Sequence, residues 1–119
     1  MSVTIFGIKN CDTMKKARTW LDQNGIDHTF HDYKASGIDL AHLEVWTDKA
    51  GWETLLNRAG TTFRKLPDEA KADLDRDKAI GLMLEHPSMI KRPVLEKDGT
   101  VVVGFKPDVY ARSFGKGDE

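Results

Sequence analysis

Cysteine is nearly missing from this chain: its 119 residues hold one, Cys11. That excludes an internal disulfide, a CxxC redox pair and a cysteine-rich zinc site. Redox chemistry at Cys11 therefore needs a second thiol from another molecule. Net charge is nearly missing too. Its 18 basic and 19 acidic residues leave a formal charge of −1, so no general field draws the chain to nucleic acid or an anionic membrane. No apolar run approaches the roughly 20 residues that cross a bilayer. The N-terminal MSVTIFGIKNC lacks a charged segment followed by an apolar stretch and a cleavage site, so a cytoplasmic location is expected. There is no repeat of 20–50 residues, no low-complexity tract, no glycine-rich phosphate loop and no nucleophilic-serine motif. What is there is one domain, residues 1–119, with 39% hydrophobic and 31% charged residues, the balance of a folded globular chain.

The pattern along the chain is mixed. Val3 to Gly7 is short, apolar and β-branched, and reads as a strand. From Asp12 the period changes: Met14, Ala17 and Leu21 share one helical face with Trp20 on its flank, and Gly25 is a left-handed stop. Ile26 to Tyr33 contains a second strand, more polar and hence near an edge; tight strand–helix–strand connections make the two strands parallel. From about Asp39 to His86 the spacing is helical: Leu40, Leu43 and Trp46, then Trp52, Leu55 and Leu56, then Ile80, Met83 and Leu84. Gly51, Gly60 and Pro67 divide this stretch into short helices. Val94–Lys97, Asp98-Gly99 and Thr100–Val103 read as a hairpin with a type I′ turn, and Pro107 opens a closing helix. This order predicts an α/β thioredoxin-like fold with a mixed four-stranded sheet. Its core takes in residues 1–34 and 92–114, and an all-helical insert covers about 35–91.

Cys11 lies where a strand ends and a helix begins. Unpaired N–H groups there carry partial positive charge and stabilise a thiolate. Such placement can bring a cysteine pKa from about 8.5 into a range of ~3.5–7.5. The thiolate is the nucleophilic form. Lys9, Lys15, Lys16 and Arg18 crowd the same stretch. Lys91-Arg92-Pro93-Val94 is the second feature. A proline ahead of a strand cannot donate to the sheet, and the turn before the third strand approaches the loop after the first. Arg92 then sits beside Cys11 as a planar donor suited to a carboxylate or an oxyanion.

With these residues the chain resembles the arsenate reductase (ArsC) family, and within it the YffB-like branch, sister to the Spx transcription regulators. The stretches that carry the resemblance are Gly7 to Ala17, Leu55 to Arg58, Thr62 to Leu66, Ile90 to Val94, and Gly104 to Pro107. It implies a thioredoxin-like fold with a helical insert and a nucleophilic Cys11. It also implies an anion site at Arg92, ahead of a Pro93 that is cis in this fold. In arsenate-reducing members three arginines hold the oxyanion, and glutathione and glutaredoxin regenerate the thiol. Here the first of the three arginine positions falls on Asn57, with Arg58 beside it, and the last on Lys106. A site tuned to a tetrahedral oxyanion suffers from both changes, whereas attack on a disulfide does not. The Spx regulators carry a CxxC switch; the residue three after Cys11 is Met14.

The resemblance thus implies a monothiol reductase with glutathione as co-substrate and glutaredoxin as a further partner. Asn10, Asn57, Arg58, Arg92, Pro93 and Lys106 would hold glutathione or an anion, with no metal and no bound organic cofactor. A monomer is expected, acting on a thiol, disulfide or oxyanion. An arsenate reductase and a non-catalytic module that binds the transcription machinery are the alternatives. Trp20, Trp46 and Trp52 are expected to fill the core. His28 and His31 would fall on opposite strand faces, and His42 and His86 offer no ligand spacing. The charged stretch from Asp68 to Asp77 reads as a solvated helix pair or as capping acids.

Overall fold

A computed structural model describes residues 2–115. Its first strand, β1 (Val3–Gly7), feeds helix α1 (Asp12–Gln23), and β2 (Thr29–Asp32) returns alongside β1 in parallel. After a helical stretch come β3 (Val94–Lys97) and β4 (Thr100–Val103), and then helix α8 (Pro107–Ser113). The sheet order is β2-β1-β3-β4, with β3 antiparallel to both β1 and β4. The polar strand β2 is indeed an edge. The hairpin turn has the two left-handed residues that Asp-Gly favours, Asp98 at φ 48° and Gly99 at φ 87°.

Both faces of the sheet are covered, which is why β1 is apolar at nearly every position. On one face Val3, Ile5 and Leu95 meet Met14, Ala17 and Leu21 of α1 and Tyr110 of α8. On the other, Phe6 and Val94 meet a larger core from the helical stretch, which includes Tyr33, Leu43, Trp46, Leu55, Phe63, Met83 and Ile90.

That stretch is a chain of short elements. It runs through α2 (Tyr33–Ser36), α3 (Leu40–Ala50), α4 (Trp52–Leu55), α5 (Thr61–Arg64), α6 (Asp68–Lys71), α7 (Arg76–Glu85) and a 3₁₀ turn at Pro87–Met89. Asp39 and Asp75 cap α3 and α7, each accepting from a backbone N–H three residues on. Asp75 thus fills the capping role expected of the acidic stretch. An isolated bridge pairs Leu56 with Ile90, flanked by backbone bonds from Asn57 to Met89 (2.7 Å) and from Lys91 to Leu55 (2.8 Å). Among the described residues, no helix is long and apolar enough to cross a membrane.

Two expectations need correction. Only Trp46 of the three tryptophans is fully buried; its indole N–H donates to Glu96 on β3 at 2.6 Å, tying α3 to the sheet. Trp20 and Trp52 are half-buried. Each packs against the margin of a core cluster rather than within it: Trp20 edge-on against Tyr110, and Trp52 under the Arg58 guanidinium. In α7 the buried face is Ala79, Ile80 and Met83, and Leu84 is turned to solvent. The strand expected within Ile26 to Tyr33 is there as Thr29–Asp32, and the Asp32 carboxylate that ends it caps α2.

Candidate functional site

Cys11 is the residue ahead of α1, in extended backbone conformation at φ −97° and ψ 131°. Its carbonyl accepts the first helical bond, from Lys15 N–H at 3.0 Å. The thiol is half-buried and opens into a cavity of about 310 Å³. Arg92 reaches this cavity from the other end of the sequence. It stands before the buried Pro93, across a cis peptide bond, at the entry to β3. Its guanidinium donates to the Ser88 carbonyl at 3.2 Å.

The electrostatics favour the thiolate. Burial pushes the Cys11 pKa up, but the backbone N–H of Met14, the Arg92 guanidinium and the N–H of Thr13 outweigh it. The net result lies below the ordinary value of 9.0. Backbone N–H groups of a helix's first turn and one cation are thus the cause, as placement at a helix start requires. Lys9, Lys15, Lys16 and Arg18 are exposed and do not line the Cys11 cavity. Arg92 shows the reciprocal effect: its own burial opposes charge, yet the thiol and Tyr33 raise its pKa.

The rest of the lining is mixed. Ile8, Phe63 and Met89 supply apolar wall; Asn10, Asn57, Thr61 and Thr62 supply amides and hydroxyls. Thr62 and Ser88 hydroxyls bond each other at 3.0 Å, closing one side. Of the residues expected at the site, Cys11, Asn10, Asn57 and Arg92 therefore line one cavity, and Pro93 lies buried beside Arg92.

Arg58 and Lys106 do not line it. Asn57 and Arg58 follow each other across an irregular turn. The backbone bond from Asn57 to Met89 turns residue 57 to the cavity, while Arg58 is exposed over the Trp52 ring, 6.0 Å from its centroid. Lys106 is the exposed residue that begins α8.

Lys34 on α2 is the cation that the sequence did not point to. It became visible only with the fold, since α2 is a single turn with no periodic signal. A larger cavity, of about 550 Å³, lies elsewhere, between Thr4, Phe6, His31, Asp39, His42 and Glu96. It holds no cysteine, arginine or lysine. His28 and His31 bond different backbone carbonyls, of Ile26 and Gly37.

A β1–α1 junction that presents a cysteine of lowered pKa, with a cis proline ahead of the neighbouring strand β3 in a mixed four-stranded sheet, defines a thioredoxin-like thiol protein. The chain belongs to the ArsC family, whose model matches residues 6–113. A solved YffB protein is 64% identical, with a TM-score of 0.91 over 93% of this chain and 97% of that one. An arsenate reductase-related protein from Brucella melitensis is 60% identical, with a TM-score of 0.76 over 96% and 95%. The global transcriptional regulator Spx of Streptococcus pyogenes is 27% identical over 109 residues, 89% of this chain and 80% of the regulator.

Proposed function

We propose that this chain is a glutathione-dependent thiol/disulfide oxidoreductase that works with one nucleophilic cysteine. Cys11 thiolate attacks the sulfur bonded to glutathione in a mixed disulfide R–S–S–G. The S–S bond breaks, RS⁻ leaves and takes a proton, and Cys11 carries the glutathionyl group. A second glutathione, as thiolate, attacks that adduct and releases oxidised glutathione and Cys11 thiolate. The sum is R–S–S–G plus one glutathione giving RSH and oxidised glutathione, so the electron pair comes from glutathione. The resolving thiol is external because the chain has only Cys11. Asn10, Asn57 and Arg92 would orient the peptide and its carboxylates.

The observation that carries this reading is the pairing of Cys11 with Arg92 in one open cavity. It also weighs against arsenate as substrate. A tetrahedral oxyanion calls for several forked donors, and Arg92 is the one guanidinium in the cavity lining, without Arg58 or Lys106. A non-catalytic role in transcription is the second reading, favoured by the likeness to Spx.

The test is mass spectrometry of the native protein with oxidised glutathione at neutral pH, with the urea-unfolded chain as control. Faster glutathionylation of the folded protein, and turnover of a glutathione mixed disulfide lost in Cys11→Ser, is expected. An adduct that forms only after unfolding would sink the proposal in favour of the binding role. Consumption of arsenate with glutathione and glutaredoxin would instead assign arsenate reduction.

A further inference from the structure

We infer that Lys34 is the specificity-determining cation of the Cys11 cavity, recognising a carboxylate on the disulfide that Cys11 attacks. The inference rests on the oxidoreductase reading and adds to it the charge of the substrate and the residue that selects it.

The charges in the cavity count as follows. Its lining contains Cys11, Arg92 and Lys34 as ionisable groups and no aspartate or glutamate. The Arg92 guanidinium serves the thiolate and donates to the Ser88 carbonyl. In the thiolate form that attacks, Cys11 and the Arg92 guanidinium balance, so the ammonium of Lys34 is the remaining charge of the lining. Among the described residues no carboxylate pairs with it. A cavity with one surplus positive charge selects an anionic ligand, and a lysine on a flexible stem suits a carboxylate at the rim.

The position of Lys34 is built from both sides. Before it, Asp32 accepts from Lys9 N–H through Oδ2 (3.3 Å), and from Lys34 and Ala35 N–H through Oδ1 (2.9 and 3.1 Å). One carboxylate thereby ties the first turn of α2 to the loop that presents Cys11. The intervening residue, Tyr33, is fully buried, and its hydroxyl donates to the Ile90 carbonyl at 2.8 Å. That second tie fixes α2 to the segment leading to Arg92. Lys34 is therefore held against both halves of the site while its own side chain stays exposed.

The experiment compares two disulfides of different charge. Cys11 thiolate attacks either one, forming a mixed disulfide and releasing one thiolate. Oxidised glutathione bears carboxylates; bis(2-hydroxyethyl) disulfide bears none. Second-order rates of adduct formation are measured for the native chain, Lys34→Gln and Lys34→Arg. Lys34→Gln is expected to slow the reaction with oxidised glutathione about fivefold, the size of one solvent-accessible charge pair, and to leave the hydroxyethyl disulfide unchanged. Lys34→Arg is expected to restore most of the difference, and added salt to shrink it. Equal slowing with both disulfides, or no slowing with either, overturns the inference and leaves the oxidoreductase reading standing. A native chain no faster than its unfolded form with both disulfides overturns both.

Discussion

The Tyr33 hydroxyl donates a 2.8 Å hydrogen bond to the Ile90 carbonyl, and both residues are fully inaccessible to solvent. The contact joins the start of α2 to the turn that delivers Arg92, residues far apart in sequence. It makes the placement of Arg92 a property of the packed core rather than of a surface loop.

Tyr33→Phe removes the donor and leaves a buried carbonyl unpaired. A loss of about 1–3 kcal/mol is expected, the cost of an unsatisfied buried acceptor. Urea unfolding should show a lower midpoint at unchanged slope.

Cys11 should titrate below 9.0 in the native protein, and Arg92→Ala should raise its pKa by removing one of the two kinds of group that depress it. The pH dependence of alkylation, or thiolate absorbance, reads both values. The sign for stability follows. A pKa lower in the folded than in the unfolded chain contributes stability that is full above the unfolded value and is lost as pH falls through the folded one. Stability of the native chain relative to Cys11→Ser should therefore grow as pH rises from the folded pKa toward 9. A flat difference over that window would contradict the assignment.

Gly7 lies where α1 crosses β1, and a Cβ there would stand 2.1 Å from the Met14 sulfur and 2.9 Å from its Cγ. Met14 is itself buried, so the thioether has little room to withdraw. Gly7→Ala is expected to cost about 1–3 kcal/mol as overpacking. Combining it with Met14→Ala should recover part of that loss, which a double-mutant cycle measures.

Arg58→Ala and Lys106→Ala should leave glutathionylation of Cys11 within about twofold of the native rate, because neither lines the cavity and exposed charges act weakly through water. Rate measurements at two ionic strengths check this. A larger loss for either would mean that its side chain swings to the bound ligand.

The parts of this fold with strong local signals are legible in the sequence. β1, α1 and the Asp98-Gly99 hairpin each follow from a period or a turn residue that acts within a few positions. So does Cys11 at the head of α1. The correct neighbours of Cys11 are harder to read. Arg58 and Asn57 are adjacent, and a single backbone bond from Asn57 to Met89 decides which of them turns inward. Lys34 sits on a one-turn helix too short for any periodicity, and Asp32 ends β2 by capping that turn instead of extending the strand. The burial of the three tryptophans depended on tertiary packing, so helical spacing alone overstated it.

Arg92 comes late in the chain and Cys11 early, and this has a consequence during biosynthesis. At about 5–20 residues per second, Cys11 leaves a ribosome on the order of ten seconds before Arg92 does. The guanidinium that lowers its pKa is not yet there, and α1 has no finished sheet to pack on. A nascent chain therefore lacks one of the two kinds of group that lower the Cys11 pKa, and the full depression arrives with the last strands. The order of synthesis thus places the completed thiol environment after the residue it acts on.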